Sequence, residues 1–178
     1  DWDSPNPLGH YARSKFAGER YVLENADQGL VCRAGWMMGG GPSKDKKFVQ
    51  KLMQQLKNGA TELFIVDDKL GTPTYTIDFA RNVQELLDKK LWGLFNMVCA
   101  GMTGRLEVAK TLVHLMNLEG KIQINSVKSD FFKETYYAQR PFSERLLTKK
   151  LDLYNANFMR DWKLCLEEYL SEEYTDYL

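Results

Sequence analysis

Tyr11 and Lys15 are the residues whose types and spacing are suited to a reaction. They lie four positions apart, so on a helix both side chains project from one face, one turn apart. A phenol has a pKa of about 10 and is a weak acid or base at neutral pH, but a nearby ammonium group favours the phenolate. Such a phenol can donate a proton to a carbonyl as hydride arrives, or accept one as hydride leaves. The pair therefore predicts acid–base catalysis coupled to hydride transfer, with lysine donors left for the ribose hydroxyls of a cofactor.

The same spacing has a second interpretation, which is a surface helix with an amphipathic tyrosine and a solvated lysine. The chain has nine tyrosines, and about one such pair is expected by chance in a sequence of this composition. The surrounding sequence therefore has to discriminate between the two.

Composition limits the class of protein. The chain has 178 residues, of which 44% are hydrophobic and 27% charged, as in an ordinary globular domain with a substantial core. Basic and acidic residues both number 24, which argues against a broad electrostatic surface for nucleic acid or an anionic membrane. No apolar run approaches the roughly 18 residues of a membrane span, and the N-terminus has no signal-peptide pattern. We expect neither nucleic acid nor membrane as a partner.

The cysteines and histidines give no metal-binding pattern. Cys32, Cys99 and Cys165 are odd in number and far apart, which is typical of reduced thiols in a cytoplasmic protein. His10 and His114 are the only histidines, so neither a zinc site nor a histidine-based triad is expected. The sequence therefore predicts a cytoplasmic protein and indicates no metal-binding residues, while metal dependence stays open.

Helical and strand patterns alternate along the chain. Asn6 followed by Pro7 predicts a helix start, and that helix should run to about Asp27. Residues 30–38 form a nearly continuous apolar run, which predicts one strand buried on both faces. Three further strands are predicted over 62–67, 93–99 and 121–127. Helices are predicted from Phe48 to Asn58, after a cap at Thr76 and after a cap at Thr103, followed by a final helix. The helix after Thr76 should face inwards with Ile77, Ala80, Val83, Leu86 and Leu87, and the final helix should have the apolar stripe Phe158, Met159, Trp162, Leu166, Tyr169 and Leu170. This alternation predicts an α/β protein, with fewer strands than a complete doubly wound sheet.

Four ordered motifs resemble one enzyme family. Tyr11-x-x-Ser14-Lys15-x-x-Gly18-Glu19 resembles the catalytic helix of the extended short-chain dehydrogenases/reductases. Residues 31–39 (VCRAGWMMG) look like the strand after that helix. Residues 67–80 are similar to the D-x-x-G-x-P-T-x-x-x-D-x-A segment of dTDP-4-dehydrorhamnose reductases. Arg140-Pro141, followed by Ser143 and Leu146, resembles the C-terminal loop of that group, before a helix carrying a tryptophan like Trp162. The resemblance covers essentially the whole chain.

The resemblance implies roles for two sets of residues. On the cofactor side, Tyr11 would protonate the C4 carbonyl of a nucleotide-linked 4-keto sugar, and Lys15 would favour its phenolate and hold the nicotinamide ribose. Ala34 and Gly35 would let the backbone approach the nicotinamide of NAD(P)H closely.

On the substrate side, Trp36 would line the sugar pocket, Thr72 and Pro73 would shape the substrate loop, and Arg140 would bind the diphosphate. Plainer interpretations stay open: Trp36 as a core tryptophan, Pro73 as a rigid turn and Arg140 as a solvated loop residue.

The sequence also departs from the family. Such enzymes bind the cofactor pyrophosphate at a glycine-rich βαβ turn, and none is found here. Gly39-Gly40-Gly41 is no substitute, because it lacks the G-x-G-x-x-G spacing and Pro42 follows where a helix should open. The family's catalytic Ser or Thr also lies upstream of the tyrosine, and Ser4 is too close to Tyr11 to be that residue.

We therefore expect an incomplete Rossmann-like (doubly wound) sheet without its N-terminal dinucleotide-binding half, plus a small α/β substrate-binding region. The chain is interpreted as a single fragment, 1–178, with the catalytic helix and following strands at about 1–60 and 76–100 and the substrate-binding region at about 61–75 and 101–178.

Two expectations follow for this fragment. It should have no reductase activity by itself and bind NAD(P) weakly or not at all. The strand from Leu30 should lack neighbours on one side, which favours dimerisation, swapping or poor solubility. Its expected partners are a nucleotide sugar and either the missing N-terminal half or a second copy in a homo-oligomer.

Alternative functions remain open at this point. A sugar-nucleotide epimerase or dehydratase would use the same scaffold, and only the segment Gly71–Thr74 favours the reductase. A non-catalytic regulatory or scaffold subunit is a further alternative, although such a role needs neither Tyr11 nor Lys15. NADH cannot be distinguished from NADPH, since the discriminating residue lies in the half that this sequence lacks.

Overall fold

A computed structural model describes residues 1–134 and 140–178. The helices of the described residues are α1 (His10–Asn25), α2 (Gly41–Lys44), α3 (Phe48–Lys57), α4 (Thr76–Asp88), α5 (Arg105–Leu115), α6 (Lys149–Leu153) and α7 (Trp162–Glu173), with a 3-10 helix at Ser129–Phe132. The strands are β1 (Leu30–Arg33), β2 (Trp36–Met38), β3 (Glu62–Val66), β4 (Leu70–Gly71), β5 (Pro73–Tyr75), β6 (Gly93–Asn96), β7 (Thr103–Gly104) and β8 (Gln123–Val127).

The strands pair mainly in parallel. The parallel pairs are β1 with β6, β2 with β5 and β3 with β8, whereas β4 and β7 pair antiparallel. Parallel strands need long crossover connections, and the helices α3, α4 and α5 lie in those connections. The predicted α/β class is therefore confirmed.

The predicted single strand over 30–38 is wrong, because the chain changes its partner halfway. After β1, which pairs with β6, Gly35 N donates to Thr74 Oγ1 at 2.8 Å and Trp36 N donates to Thr72 O at 2.9 Å. These bonds direct β2 to β5 instead. The residues of β1 are only partly buried, and within the described part of the chain β1 pairs on one side, with β6.

The first helix begins later than predicted. Its N-cap is Gly9, which is extended, and Arg13 N donates to Gly9 O at 3.0 Å. Residues that precede proline avoid the helical region, and glycine is a poor helix former, so the segment from Pro5 to Gly9 stays outside the helix. Asp1 anchors this segment, since its carboxylate accepts from Asn96 N at 2.8 Å and from Lys150 N at 3.0 Å.

The inward face of α4 differs from the predicted apolar stripe. Ile77 and Leu87 are 42% and 43% exposed, whereas the buried residues of α4 are Asp78, Asn82 and Leu86. Two polar residues can be buried here because both are hydrogen-bonded to the segment before α7. Asn82, for example, donates to Ala156 O and accepts from Phe158 N, both at 2.7 Å.

Several boundaries and caps also differ. Helix α4 starts at Thr76 with Tyr75 as its N-cap, and α5 is capped by Gly104 rather than by Thr103, which belongs to β7. A short helix, α2, does open at the glycine run, with Pro42 in its first turn. Phe158 precedes α7 and is 51% exposed, so it is not part of the apolar stripe of that helix.

The core lies where α3, α5 and α7 pack on the strands. Its most buried side chains include Leu52, Met53, Leu63, Phe95, Ala109, Leu112, Leu166 and Tyr169. This core supports the strand ends from which the candidate site is built. Among the described helices, none combines the length and the apolar character needed to cross a membrane.

Candidate active site

Tyr11 and Lys15 lie in the first two turns of α1, and both are exposed. The Tyr11 side chain is 78% exposed, so a reactant can approach its phenol. Ser14 Oγ donates to Tyr11 O at 2.8 Å, within the same turns of the helix. The four-residue spacing in a continuous helix places both functional groups on one accessible face.

An ion pair fixes that face of α1 relative to β1. Glu19 continues the stripe of Tyr11 and Lys15 by one more turn. Its carboxylate accepts from Arg33 Nε at 3.0 Å and from Arg33 Nη2 at 2.6 Å. Because Arg33 is the last residue of β1, this pair joins α1 to the end of that strand.

Gly35 lies directly after that strand end, where open α/β sheets bind their ligands. An added Cβ at Gly35 would come within 2.1 Å of Thr72 O, so only glycine allows the two backbones to approach this closely. Ala34 and Gly35 are both partly buried. Ala34 and Gly35 thus connect β1 with β2, and Gly35 allows a close approach of this connection to the backbone of Thr72.

Trp36 is partly buried and its indole has polar and cationic partners. The indole Nε1 donates to Glu144 Oε2 at 2.9 Å. The guanidinium of Arg105 lies 4.7 Å from the centroid of the Trp36 ring and 5.0 Å from that of Phe48. An added Cβ at Gly71 would meet the indole at 2.2 Å, so the ring packs directly against the backbone of β4. Trp36 therefore lies at the rim of the core, in a polar environment.

Thr72 and Pro73 lie behind this surface. Both side chains are buried, and Thr72 is only 2% exposed. The Thr72 carbonyl accepts from Trp36 N at 2.9 Å. The backbone of these two residues pairs with that of Trp36, whereas their side chains are not on the exposed surface.

Arg140 lies next to Trp36 through the C-terminal loop. Leu70 N donates to Phe142 O at 3.0 Å, and Glu144 N donates to Leu70 O at 2.9 Å, so the loop runs along β4. Lys69 Nζ donates to Arg140 O at 3.0 Å. The Arg140 side chain is 67% exposed, and its Nη1 lies 3.8 Å from Glu144 Oε1.

The predicted residues fall into two sets. In the first, Tyr11 and Lys15 lie on α1, which the Glu19–Arg33 pair joins to the end of β1, and Ala34 and Gly35 follow that strand. The other holds Trp36, Thr72, Pro73 and Arg140.

Sequence reasoning missed Glu144 and Arg105, which contact the Trp36 indole, and Lys69, which bonds the Arg140 carbonyl. No local spacing marks them, because their partners are distant in the chain: Glu144 and Trp36 are 108 residues apart. The neighbouring Asp68 is directed elsewhere, as it accepts from Ser129 N at 3.1 Å and Ser129 Oγ at 2.8 Å.

Within the described ranges, no cluster of three or more His, Cys, Asp or Glu side chains is arranged to hold a metal ion. Cys32, Cys99 and Cys165 are free thiols. Burial raises the pKa of Cys32 to about 11, so this thiol stays protonated at neutral pH.

Comparison with known proteins relates this geometry to one family. The family model described as the RmlD substrate binding domain matches residues 1–175. The dTDP-4-dehydrorhamnose reductase of Mycobacterium tuberculosis (strain CDC 1551 / Oshkosh) is 30% identical over 165 residues, which are 92% of this chain and 52% of that protein. The methionine adenosyltransferase 2 subunit beta of Danio rerio is 29% identical over 156 residues, which are 85% of this chain and 47% of that protein.

Solved structures give the same relationship. The dTDP-4-dehydrorhamnose reductase of Yersinia enterocolitica superposes with a TM-score of 0.87 at 33% identity, over 95% of this chain and 58% of that chain. The reductase of the same name from Bacillus anthracis str. Ames, in complex with NADP, has a TM-score of 0.83 at 27% identity, over 96% of this chain and 58% of that chain.

These matches confirm the predicted incomplete Rossmann-like fold, and the chain spans about half the length of the curated relatives it matches. Since one family model covers nearly every residue, this chain belongs to the RmlD substrate-binding domain family, within the extended short-chain dehydrogenase/reductase group.

Proposed function

We propose that this chain is the catalytic-tyrosine and substrate-binding part of an NAD(P)-dependent reductase that reduces the 4-keto group of a nucleotide sugar. The observation that carries the proposal is the position of Tyr11 and Lys15. They lie on an accessible stripe of α1 that the Glu19–Arg33 pair holds beside the end of β1. The proposal places the carbonyl and the nicotinamide there because open α/β sheets bind ligands outside the carboxyl ends of their strands.

Tyr11 is the proton donor in the proposed reaction. When bound, NAD(P)H supplies the hydride that is added to C4. The Tyr11 phenol donates its proton to the C4 oxygen as negative charge develops there, so that a ketone becomes a secondary alcohol. The exposed phenolate then regains a proton from water.

The cofactor is expected to bind beside Lys15 and the Ala34–Gly35 junction. Lys15 is exposed and offers ammonium donors that suit ribose hydroxyls. Gly35 contributes only its backbone here, because the space that a side chain would occupy is filled by Thr72 O. A relative of the same fold is known in complex with NADP, which supports this class of cofactor.

The substrate is expected to bind across Trp36 and Arg140. In this proposal the sugar lies against the part of the Trp36 side chain that remains accessible, and the exposed guanidinium of Arg140 suits the oxygens of a diphosphate. The names of the related reductases support a dTDP-linked sugar.

We further propose that the catalytic part lies at about 1–60 and 76–100 and the substrate-binding part at about 61–75 and 101–178. Because the sequence has no glycine-rich phosphate loop, turnover is proposed to require the rest of a longer protein, with a second copy as a further candidate partner.

Replacing Tyr11 by phenylalanine in the full-length protein tests this function. Loss of a general acid lowers kcat by about 100-fold or more in such reactions. Thermal stability should not change, because the side chain is 78% exposed. NAD(P)H oxidation with a 4-keto sugar nucleotide measures the activity. Tyr21→Phe is the matched control, since Tyr21 lies on the same helix and is 69% exposed. Full activity of the Tyr11 variant would exclude the proposed acid.

A regulatory subunit is the second candidate function. It is favoured by the likeness to a protein named as the beta subunit of a methionine adenosyltransferase. The Tyr11→Phe variant separates the two, since a subunit that acts only by binding would keep its function when one exposed hydroxyl is removed.

A further inference from the structure

The indole of Trp36 is held from three directions. Its Nε1 donates to Glu144 Oε2 at 2.9 Å, and the guanidinium of Arg105 lies over its ring at 4.7 Å. The backbone of Gly71 closes the third side, where an added Cβ would lie 2.2 Å from the ring. Of these contacts, the bond to Glu144 is the one that fixes the direction of the indole N–H.

The second carboxylate oxygen of Glu144 lies near Arg140. The distance between Glu144 Oε1 and Arg140 Nη1 is 3.8 Å, with side-chain exposures of 31% and 67%. The backbone of Glu144 is fixed by its bond to Leu70 O at 2.9 Å. One carboxylate, on a fixed backbone, thus connects the aromatic residue with the exposed guanidinium.

We propose that Glu144 is a positioning residue that couples Trp36 to Arg140 in the substrate site. This inference rests on the proposed function, because it assigns the sugar to Trp36 and the diphosphate to Arg140. Glu144 orients the indole through Oε2 and holds Arg140 through Oε1 until a diphosphate takes over the guanidinium.

Electrostatics determines how the two contacts differ. The bond from the indole to an ionised carboxylate is charge-assisted and partly buried, so it is the stronger contact. The pair with Arg140 is long and exposed, so it is weak. A diphosphate carries more charge than one carboxylate and offers oxygens for the planar fork of arginine, and it therefore competes well for Arg140. The carboxylate also repels the diphosphate, which weakens binding of the anion.

Two substitutions of Glu144 in the full-length protein separate these contacts. In Glu144→Gln the amide oxygen still accepts from the indole, but the negative charge beside Arg140 is gone. The dissociation constant for a nucleoside diphosphate should fall by about three-fold at low salt, as expected for an exposed ion pair. Near 1 M salt the gain should disappear, because the charges are screened. The value of kcat should change by less than about two-fold, since the indole bond persists.

In Glu144→Ala the indole loses its acceptor. The emission of Trp36, obtained by subtracting the spectrum of Trp36→Phe, should shift, and kcat should fall by about ten-fold as the sugar is held less well. Glu107→Gln is the matched control, because Glu107 is an exposed carboxylate on α5. It should leave both readouts unchanged.

Either of two results overturns the proposal. One is unchanged Trp36 emission in Glu144→Ala. The other is a lower melting temperature of both Glu144 variants with unchanged nucleotide binding and kcat, which is a purely structural role.

Failure of the proposed function is a separate result. If the unmodified protein binds no nucleoside diphosphate, the substrate class is wrong, while the Trp36 emission of the free protein still decides whether Glu144 positions the indole. Should Glu144→Ala fail to fold, the salt-dependent binding of Glu144→Gln decides the coupling to Arg140.

Discussion

Asp78 is buried on the inward face of α4, although the apolar pattern of that helix predicts other residues there. Its side chain is 0% exposed. The carboxylate accepts from Arg160 Nε at 2.9 Å, from Arg160 Nη2 at 2.8 Å and from Cys165 Sγ at 3.2 Å. Burial alone would raise the pKa of Asp78, but the bonds from Arg160 and Cys165 outweigh it, and the pKa lies below its usual value. The ionised carboxylate is thus part of the folded state.

This shift predicts a specific acid sensitivity. Because the pKa of Asp78 is lower in the folded protein than in the unfolded chain, the stability it adds is complete above about pH 4. It is lost as the pH falls further, through the pKa of the folded state. In Asp78→Asn the urea midpoint should depend less on pH below about pH 4, while stability at neutral pH falls by about 2 kcal/mol.

We place that value below the range of fully buried pairs because the Arg160 side chain is 35% exposed. Urea unfolding from pH 3 to pH 7 measures both effects, and Asp27→Asn, at an exposed position, is the control. If the urea midpoint of Asp78→Asn fell with pH below about pH 4 as steeply as that of the unmodified protein, the lowered pKa of Asp78 would be contradicted.

At the scale of elements, α1 carries the proposed catalytic residues Tyr11 and Lys15 but packs very little against the rest of the chain. None of its 16 residues is buried, and Tyr21, Val22 and Leu23 are 69%, 37% and 40% exposed. A cavity of about 200 Å³ lies between α1, the N-terminal segment and the end of β1. Its lining includes Phe16, Glu19 and Arg33. The Glu19–Arg33 pair thus joins α1 to β1 beside this cavity.

Breaking this pair should loosen α1. The side chains of Arg33 and Glu19 are only 22% and 17% exposed, so the pair contributes more than a surface ion pair, and its loss should cost about 1 kcal/mol. In Glu19→Gln the amides of residues 10–25 should exchange about five-fold faster, measured by hydrogen–deuterium exchange of the full-length protein.

Glu24→Gln removes the exposed Arg20–Glu24 pair of the same helix and is the matched control, with exposures of 62% and 56%. Equal exchange in both variants would mean that the Glu19–Arg33 pair does not anchor the helix.

At the scale of the whole molecule, β1 has an open side. It pairs with β6, and among the described residues it has no second strand neighbour. An unpaired strand edge offers free N–H and C=O groups to another chain. Together with the exposed side chains of α1, this edge forms a surface suited to association.

We therefore predict that the 178-residue chain, prepared by itself, associates or is poorly soluble. Light scattering as a function of concentration measures the association, and hydrogen exchange of residues 30–38 reports on the edge. The full-length protein is the control, since its additional residues are expected to cover β1. A monomer with full protection of residues 30–38 would contradict this prediction.

Much of the element order could be predicted from the sequence because the patterns are local. The helix at Phe48–Lys57 and the strand at Glu62–Val66 have the expected periodicity and ends. The Tyr11–Lys15 stripe also follows from spacing within one helix. Short strands such as β4 and β7 were missed, because two residues carry no periodic pattern.

By itself, the sequence determined which residues could do chemistry and the α/β class, since both depend on residue type and short-range spacing. Only the tertiary structure decided that residues 30–38 split between two partners and that Asp78 and Asn82 face the core. It also decided that Glu144 meets Trp36 across 108 residues of chain. Such contacts depend on which partner is available to a hydrogen-bonding group after folding, and no local pattern carries that information.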